Sequence, residues 1–337
     1  MDVAAVVDRF DLGAEMRGWL EEASGLPVPE GGLPLPGRAE APAVLARLGC
    51  EPRDAEELLE IWPDASWPVE LWWLMERMYA VVAADLAAGR REWRSWPSQV
   101  RVADVRARCA VVFALAAAVP LLERVYDRYG VPEEVRAATL SDVGRHVVKT
   151  RQIFGYLGLE IATWVALHFR AGLYELGRLQ YEPARLGVQG AVEWPAPERA
   201  AELGAELEWG RPVLRLHIAP GGPLDDAAVG ASLGRARGFF REHFGADYPV
   251  ATCTSWLLDP RLAEYLPEGS NIVRFQRRFT LVEGEGAPGE ADVFRFVFRS
   301  VEVAPERAPR RTTLERALLD HLAAGGTWRV RTGWLRL

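Results

Sequence analysis

His217 is the side chain of this sequence whose chemistry best suits acid–base work near neutral pH. It lies in the segment LRLHIA, where a period of two places Leu216 on one face of a strand and Arg215 with His217 on the other. Imidazole titrates near neutrality, which makes His217 a candidate general base for deprotonating an amine. The alternative is a strand histidine whose ring is hydrogen-bonded to a neighbouring carbonyl.

Polar side chains also alternate along the segment LYELGRLQYE, residues 173 to 182. Arg178, Gln180 and Glu182 fall on one face of this predicted strand, whereas apolar side chains fall on the other. This face is either a wall that binds a substrate, with Glu182 as a second candidate base, or the solvent side of an edge strand.

A third set of candidates follows the predicted strand VATCTSW, residues 250 to 256. Ser255, Trp256 and Asn271 flank the connection after it, where open sheets commonly contact ligands, and we predict substrate contacts for all three. The alternative for Asn271 is a helix N-cap. Cys253 is either a thiol nucleophile paired with His217 or, as is usual for strand cysteines, a small buried hydrophobe.

Charge and cysteine content narrow the class of protein. The formal net charge is −7 and the pI is about 5.5. Proteins that bind nucleic acids or anionic membranes normally carry a basic surface, so we predict neither partner. Cys50, Cys109 and Cys253 are far apart in sequence, which indicates neither a disulfide framework nor a metal site. The acidic, discontinuous start does not resemble a secretory signal, and we expect a cytoplasmic protein.

The elements that must position these residues divide the chain into two parts. Its 337 residues exceed the usual span of one domain. Up to about residue 170, apolar residues recur three and four apart, which predicts helices. The predicted helices are 2–20, 41–48, 54–61, 68–88, a helix capped by Ser98 that runs to Tyr129, one from Ser141 to 157, and 159–170.

From residue 171 onwards the period changes towards two, which predicts strands separated by helices. The predicted strands are 173–182, 187–193, 213–219, 250–256, 279–283, 293–299 and 327–335. The predicted helices between them are 226–244, 260–266, 271–277 and 313–324. The longest apolar run, CAVVFALAAAVPLL, is too short to cross a bilayer and predicts a buried core helix.

Four blocks of the second half resemble a known bacterial family. They are YELGRLQYE, LHIAPGGPLDDAAVGASLGRARGFF, CTSWLLDPRL and SNIVRFQRRF. They resemble acyltransferase domain-containing proteins, in which a helical N-acyltransferase N-terminal domain precedes a GNAT-like C-terminal domain. The resemblance implies an α+β protein with a helical domain of residues 1–170 and a GNAT-like, mixed α/β domain of residues 171–337.

The resemblance also implies a splayed sheet that admits the pantetheine arm of an acyl-CoA co-substrate, with no metal. GNAT enzymes bind the CoA pyrophosphate through backbone N–H groups at the start of the central helix, after a Q/R-x-x-G-x-G/A signature. The cofactor-binding positions that the resemblance implies here are Ile218, Ala219, Gly221 and Gly222. This sequence departs from the signature, because Asp225 and Asp226 stand at the helix start, where they would repel a diphosphate.

We therefore predict an acyl-CoA-dependent N-acyltransferase that acts on a small-molecule acceptor. Either His217 or Glu182 would deprotonate the acceptor amine, and backbone N–H groups near the splayed strands would polarise the thioester carbonyl. The alternative is a non-catalytic binding module that keeps the fold without binding CoA. The sequence indicates neither the acceptor, the acyl chain nor the oligomeric state.

Overall fold

The apolar residues that recur three and four apart form helices in the unit Met1–Tyr174 of the computed structural model. The structure describes residues 1–187 and 194–337. The helices of this unit are α1 (Val3–Phe10), α2 (Gly13–Ser24), α3 (Ala41–Arg47), α4 (Pro52–Glu60), α5 (Val69–Ala87), α6 (Val105–Tyr129), α7 (Glu133–Leu140), α8 (Asp142–Phe154) and α9 (Ala162–Phe169).

Two predicted helices of this unit differ most from the structure, and α7 was not predicted. The helix predicted over residues 2–20 is interrupted at Asp11, whose φ of 51° is left-handed, and so becomes α1 and α2. The helix that leads to Tyr129 begins after Asp104 and not after Ser98, because the Asp104 carboxylate accepts the N–H of Arg106 at 2.8 Å. A side-chain acceptor at that position satisfies helix N–H groups that otherwise have no partner.

Helix α6 is the central helix of this unit. It is long and apolar enough to span a membrane, but 72% of its most apolar stretch is buried, as in the core helix of a folded unit. Pro120 lies inside it. The structure therefore contains the buried core helix that the sequence predicted at this position.

A buried carboxylate connects α8 to α9. Asp142 accepts hydrogen bonds from Arg145 Nε at 2.8 Å and Trp164 Nε1 at 3.0 Å, and His168 Nε2 lies 3.0 Å from it. Burial alone would raise the pKa of Asp142, but the neighbouring His146 and His168 hold that pKa well below its usual value. Burial also lowers the pKa of His146. Asp142 is therefore the charged member of this group, and the hydrogen-bond donors around its carboxylate stabilise that negative charge.

The unit Glu175–Leu337 is built on a mixed sheet with helices. Its strands are β1 (Tyr174–Glu175, at the boundary), β2 (Leu179–Arg185), β3 (Pro212–Ile218), β4 (Val250–Ser255), β5 (Thr280–Leu281), β6 (Ala287–Pro288) and β7 (Arg329–Arg336). Its helices are α10 (Pro197–Leu203), α11 (Asp226–Phe244), α12 (Leu262–Tyr265), α13 (Asn271–Gln276), α14 (Glu290–Val293) and α15 (Thr313–Ala323).

The strands lie in the order β1-β2-β3-β4-β7-β5, and β6 pairs with β7. Strand β3 is antiparallel to β2 and parallel to β4, whereas β7 is antiparallel to β4. The parallel pair is joined through α11, as such a crossover requires. The predicted α+β fold class is confirmed.

One face of this sheet is apolar and packs against α11. Tyr181 of β2 is the register partner of Leu216 of β3, and both side chains are buried. The Tyr181 hydroxyl lies 3.1 Å from Oγ of Ser232 on α11, and Ser232 donates to the Leu176 carbonyl at 2.7 Å. The helix and the sheet are therefore held by a hydrogen-bonded contact as well as by apolar burial.

The opposite face changes character along the strands. Near the start of β3 and β4, Val213, Val250 and Trp334 form an apolar cluster with Leu207. Towards the other end the face becomes polar. The polar side chains there, assigned by strand alternation and register, are those of Gln180, Glu182, Arg215, His217, Thr252, Thr254 and Thr332.

One predicted strand is wrong, and the strand predicted over residues 173–182 is divided into β1 and β2. Residues 293–299 form the end of α14 and a π-helical turn, Phe294–Phe298, because Phe294, Val297 and Phe298 pack together on the core cluster around Trp328. The strand predicted over residues 187–193 lies outside the described residues apart from Gly187. The segment between the predicted strands 279–283 and 293–299 contains the short strand β6.

Gly144 provides a test of the packing in the first unit. A Cβ atom at Gly144 would lie 1.9 Å from the carbonyl oxygen of Gly49, so we expect Gly144→Ala to push α8 away. The movement would also weaken the 2.8 Å hydrogen bond from Gly144 N–H to the Leu48 carbonyl. Overpacking of this kind lowers the free energy of unfolding by about 1–3 kcal/mol or more, which urea denaturation measures.

The matched control is Gly18→Ala. Nothing lies within 4 Å of a Cβ atom at Gly18 in α2, and alanine in a helix interior stabilises by about 0.5–1 kcal/mol relative to glycine. Equal stability of Gly144→Ala and the wild type would contradict the close backbone approach.

Candidate active site

The parallel pairing of β3 with β4 ends before either strand does. The register pairs run from Leu214 with Ala251 to Leu216 with Cys253, whereas β3 continues to Ile218 and β4 continues to Ser255. Each strand remains paired with its other neighbour over these last residues. The two strands therefore separate at their carboxyl ends. We call the opening between them, which interrupts the sheet, the gap.

A buried carboxylate and a partly exposed histidine lie beside the gap. Glu182 Oε2 is 3.0 Å from His217 Nε2, and Glu182 Oε1 is 3.4 Å from a terminal nitrogen of Arg215. The Glu182 side chain is 3% exposed and that of His217 is 28% exposed. The carboxylate is thus enclosed and paired, whereas the imidazole reaches the surface.

Strand register explains why these residues meet. Glu182 is the partner of Arg215, and Gln180 is the partner of His217, so Glu182 and His217 are diagonal neighbours on one face. Gln180 is 1% exposed and donates from Nε2 to Glu175 Oε2 at 3.0 Å. The sequence placed these side chains on polar faces of two strands, and the structure brings both faces together.

Arg178 precedes β2 and reaches the loop between β3 and α11. Its guanidinium donates to the carbonyl oxygens of Ala219 at 3.0 Å, Gly222 at 3.1 Å and Pro223 at 2.9 Å. Three hydrogen bonds from one planar group fix the path of this loop. The loop and Arg178 thus form one hydrogen-bonded assembly.

The loop backbone has open space around it. Gly221 and Gly222 have φ values of 94° and 69°, and nothing lies within 4 Å of a Cβ atom built on either residue. Side-chain substitution is therefore limited by backbone strain and not by contact with neighbours. Such a loop lets a ligand approach the main chain closely.

Both aspartates at the start of α11 are engaged by the protein. Asp225 is the N-cap and accepts the N–H of Ala228 at 3.0 Å. Asp226 Oδ1 lies 2.5 Å from a terminal nitrogen of Arg278. The charge of Asp226 is thus balanced locally, and the residues present are compatible with a phosphate-bearing group near this loop.

The residues after β4 serve local structure. Ser255 points to the face opposite His217, and its Oγ accepts the N–H of Leu257 at 3.1 Å. Trp256 is 6% exposed and belongs to an apolar core cluster. Ser270, and not Asn271, caps α13. The substrate contacts predicted for Ser255, Trp256 and Asn271 stay predictions.

Cys253 is not placed to act with His217. Alternation along β4 puts its side chain on the apolar face, where it is 2% exposed. Burial raises the pKa of its thiol to about 12, so the thiol stays protonated near neutral pH. Among the described residues, no group of three or more His, Cys, Asp or Glu side chains is arranged to hold a metal ion.

A sheet split at the carboxyl ends of two parallel strands, with a loop and a helix after the first strand, is the architecture of a GNAT-like acyltransferase. A family model described as the GNAT-like C-terminal domain matches residues 173–335, and the N-acyltransferase N-terminal domain matches residues 39–171. The chain therefore belongs to the acyltransferase family that combines these two domains. The resemblance seen in the sequence is confirmed.

Solved structures of acyltransferases are similar to this chain over its whole length. The crystal structure of an acyltransferase in complex with decanoyl-CoA and teicoplanin is 34% identical to this chain, with a TM-score of 0.87 and complete coverage of both chains. A complex with CoA and 10C-teicoplanin has the same identity, coverage and TM-score. A mutant acyltransferase in complex with octanoyl-CoA has a TM-score of 0.86 at 34% identity and full coverage. A comparison with proteins of curated function gave no match.

The thiols allow a direct test of whether a cysteine takes part in the chemistry. Burial raises the pKa of Cys50, Cys109 and Cys253 to about 12. At pH 8 the thiolate fraction of each is then roughly 10⁻⁴, and only the thiolate is nucleophilic. We expect iodoacetamide to leave the native protein unlabelled by mass spectrometry over an hour, and guanidinium to expose all three thiols. Rapid labelling of Cys253 that abolishes activity would restore the thiol mechanism.

Proposed function

We propose that the protein is an acyl-CoA-dependent N-acyltransferase that transfers a medium-length acyl chain to an amine of a small-molecule acceptor. The observation that carries this proposal is the gap between β3 and β4, beside which His217 is held by buried Glu182. The decanoyl-CoA and octanoyl-CoA complexes of the similar acyltransferases support the donor class. They do not favour the non-catalytic alternative.

In the proposed mechanism His217 is the general base. Glu182 faces Nε2 of the ring at 3.0 Å, so it holds the proton of the neutral imidazole on that nitrogen, and the basic lone pair lies on Nδ1. The ring takes a proton from the acceptor amine as the nitrogen attacks the thioester carbon. Glu182 then stabilises the imidazolium, and Arg215 is a second positively charged partner of the Glu182 carboxylate.

The donor would extend from the gap to the loop held by Arg178. Ile218, Ala219, Gly221 and Gly222 remain the proposed CoA-binding positions, since they connect the end of β3 to this loop. Backbone N–H groups at the gap are proposed to polarise the thioester carbonyl. The ion pair of Asp226 with Arg278 reduces the repulsion from one of the two carboxylates, whereas Asp225 acts as the N-cap of α11.

The acceptor is proposed to be a teicoplanin-like small molecule, because similar acyltransferases bind teicoplanin or 10C-teicoplanin. A cytoplasmic location is part of the proposal, as is the division into a helical domain of residues 1–170 and a GNAT-like domain of residues 171–337. Gln180 is assigned to the acceptor side, since it neighbours His217 in the register.

The function is tested by incubating the purified protein with decanoyl-CoA and deacylated teicoplanin. Mass spectrometry should detect decanoyl transfer, and calorimetry should detect decanoyl-CoA binding. Absence of both, with folded protein and millimolar decanoyl-CoA, would overturn the proposed function.

The same assay separates the two candidate bases. We expect His217→Gln to lower kcat by about 10²–10⁴-fold, the usual contribution of a general base. Glu182→Gln should lower kcat by about 10–100-fold, as loss of an orienting partner does. If His217→Gln keeps wild-type turnover while Glu182→Gln abolishes it, the base is Glu182.

The proposed role of Arg178 is tested with two donors. Arg178→Met releases the carbonyl groups of Ala219, Gly222 and Pro223, so we expect KM for decanoyl-CoA to rise by about tenfold, the effect of roughly 1.4 kcal/mol of lost binding. KM for decanoyl-pantetheine, which lacks the nucleotide and its diphosphate, should stay unchanged.

The control is Arg185→Met, at the other end of β2. Arg185 also donates to a backbone carbonyl, that of Gly210 at 2.8 Å, but it lies away from the loop. An equal rise in KM for both donors in Arg178→Met, or the same rise in Arg185→Met, would contradict a role specific to the nucleotide end of CoA.

A further inference from the structure

Two threonine hydroxyl groups form a pair at the gap. Thr254 of β4 and Thr332 of β7 are direct register partners, and their Oγ1 atoms are 3.0 Å apart. Thr332 is 1% exposed, whereas Thr254 is exposed. One hydroxyl group is therefore enclosed in the sheet, and the other faces open space.

Burial decides which hydroxyl group donates. Within residues 1–187 and 194–337, Thr254 Oγ1 is the only hydrogen-bond partner of the Thr332 hydroxyl. A buried hydroxyl hydrogen without an acceptor is costly, so Thr332 donates and Thr254 accepts. The hydrogen of the Thr254 hydroxyl is then directed away from Thr332, and accepting a hydrogen bond makes it a stronger donor.

Thr254 lies across the gap from His217. The last parallel register pair is Leu216 with Cys253, and the next residues along the two strands are His217 and Thr254. Residues at matching positions of adjacent strands point to the same face. A proton acceptor and a hydroxyl donor thus stand on opposite strands of the same opening.

We propose that Thr254 is a further catalytic residue, whose hydroxyl group donates a hydrogen bond to the sulfur of CoA as the thioester bond breaks. The proposal rests on the proposed acyl-transfer function. The amine nitrogen forms a bond to the acyl carbon, the C–S electron pair moves to sulfur, and His217 takes the amine proton. The thiolate accepts the Thr254 hydrogen bond and then receives the proton from His217, which yields the amide and CoA thiol.

The assignment to sulfur follows from where charge develops. Negative charge appears first on the thioester oxygen and then on the departing sulfur. In the proposed mechanism the backbone N–H groups of the gap donate hydrogen bonds to the oxygen. A donor aimed at developing charge lowers the barrier to the step that produces it. Thr332 is a positioning residue, because it holds the Thr254 hydroxyl group without touching the donor.

The first test compares kinetics of variants with decanoyl-CoA and deacylated teicoplanin. We expect Thr254→Val to lower kcat by about 10–100-fold with little change in KM, since a lost donor to developing charge costs up to about 10²–10³-fold. Thr254→Ser should keep most of the activity. Thr280→Val is the matched control, because Thr280 is an exposed strand threonine of the same sheet outside the gap, and it should behave as wild type.

The second test needs no turnover. A hydrogen bond to the thiolate lowers the pKa of the thiol of bound CoA, so that pKa should be higher by about one to two pH units in Thr254→Val than in the wild type. Ultraviolet absorbance of the thiolate during a pH titration of the CoA complex measures it. Thr332→Val should give a smaller shift in the same direction.

The outcomes separate this proposal from the function on which it rests. A wild-type protein that neither binds CoA nor transfers an acyl chain overturns both. An active wild type whose kcat and bound-thiol titration are unchanged in Thr254→Val overturns the role of Thr254 alone. Equal losses in Thr254→Ser and Thr254→Val, with unfolding midpoints equal to wild type, would also overturn it, since serine keeps the hydroxyl group.

Discussion

The site depends on the point at which β3 and β4 stop pairing. Hydrogen bonds between parallel strands hold backbones about 4.8 Å apart, which leaves no room for a ligand between them. Beyond Leu216 and Cys253 that constraint is lifted, yet β2 and β7 still pair with the two strands. Paired strands therefore border the opening on both sides, and strand geometry places the residues beside it.

Charged side chains near this opening lie on the polar face of the sheet and at the loop after β3. The enclosed Glu182 is shared between Arg215 and His217, so removing one partner would leave a buried charge with fewer contacts. At the loop after β3, Arg178 engages carbonyl groups and Arg278 engages Asp226. The positive groups near the loop thus come from positions distant in sequence and not from a local glycine-rich signature.

The sequence predicted those features that depend on local pattern. The helix over residues 226–244 was found with its bounds, because Asp225 and Gly245 are strong capping residues. The polar faces of β2 and β3 were predicted, but the contact between Glu182 and His217 depends on register, which alternation does not specify. The segment FRFVF was assigned to a strand because its residues alternate, whereas Phe294, Val297 and Phe298 also fit a helical spacing. Tertiary packing on the core near Trp328 decides between the two patterns.

The position of β7 affects how the sheet can form while the chain is being synthesised on the ribosome. It is the last strand in chain order, yet it lies inside the sheet, between β4 and β5. Thr254 and Thr332 are 78 residues apart, so at 5–20 residues per second β4 waits roughly 4–16 s for its partner during synthesis. Its exposed edge is a template for pairing with other chains during that interval. The nascent protein therefore carries an incomplete sheet until β7 has been synthesised, and slower elongation or crowded polysomes should lower its yield of natively folded protein.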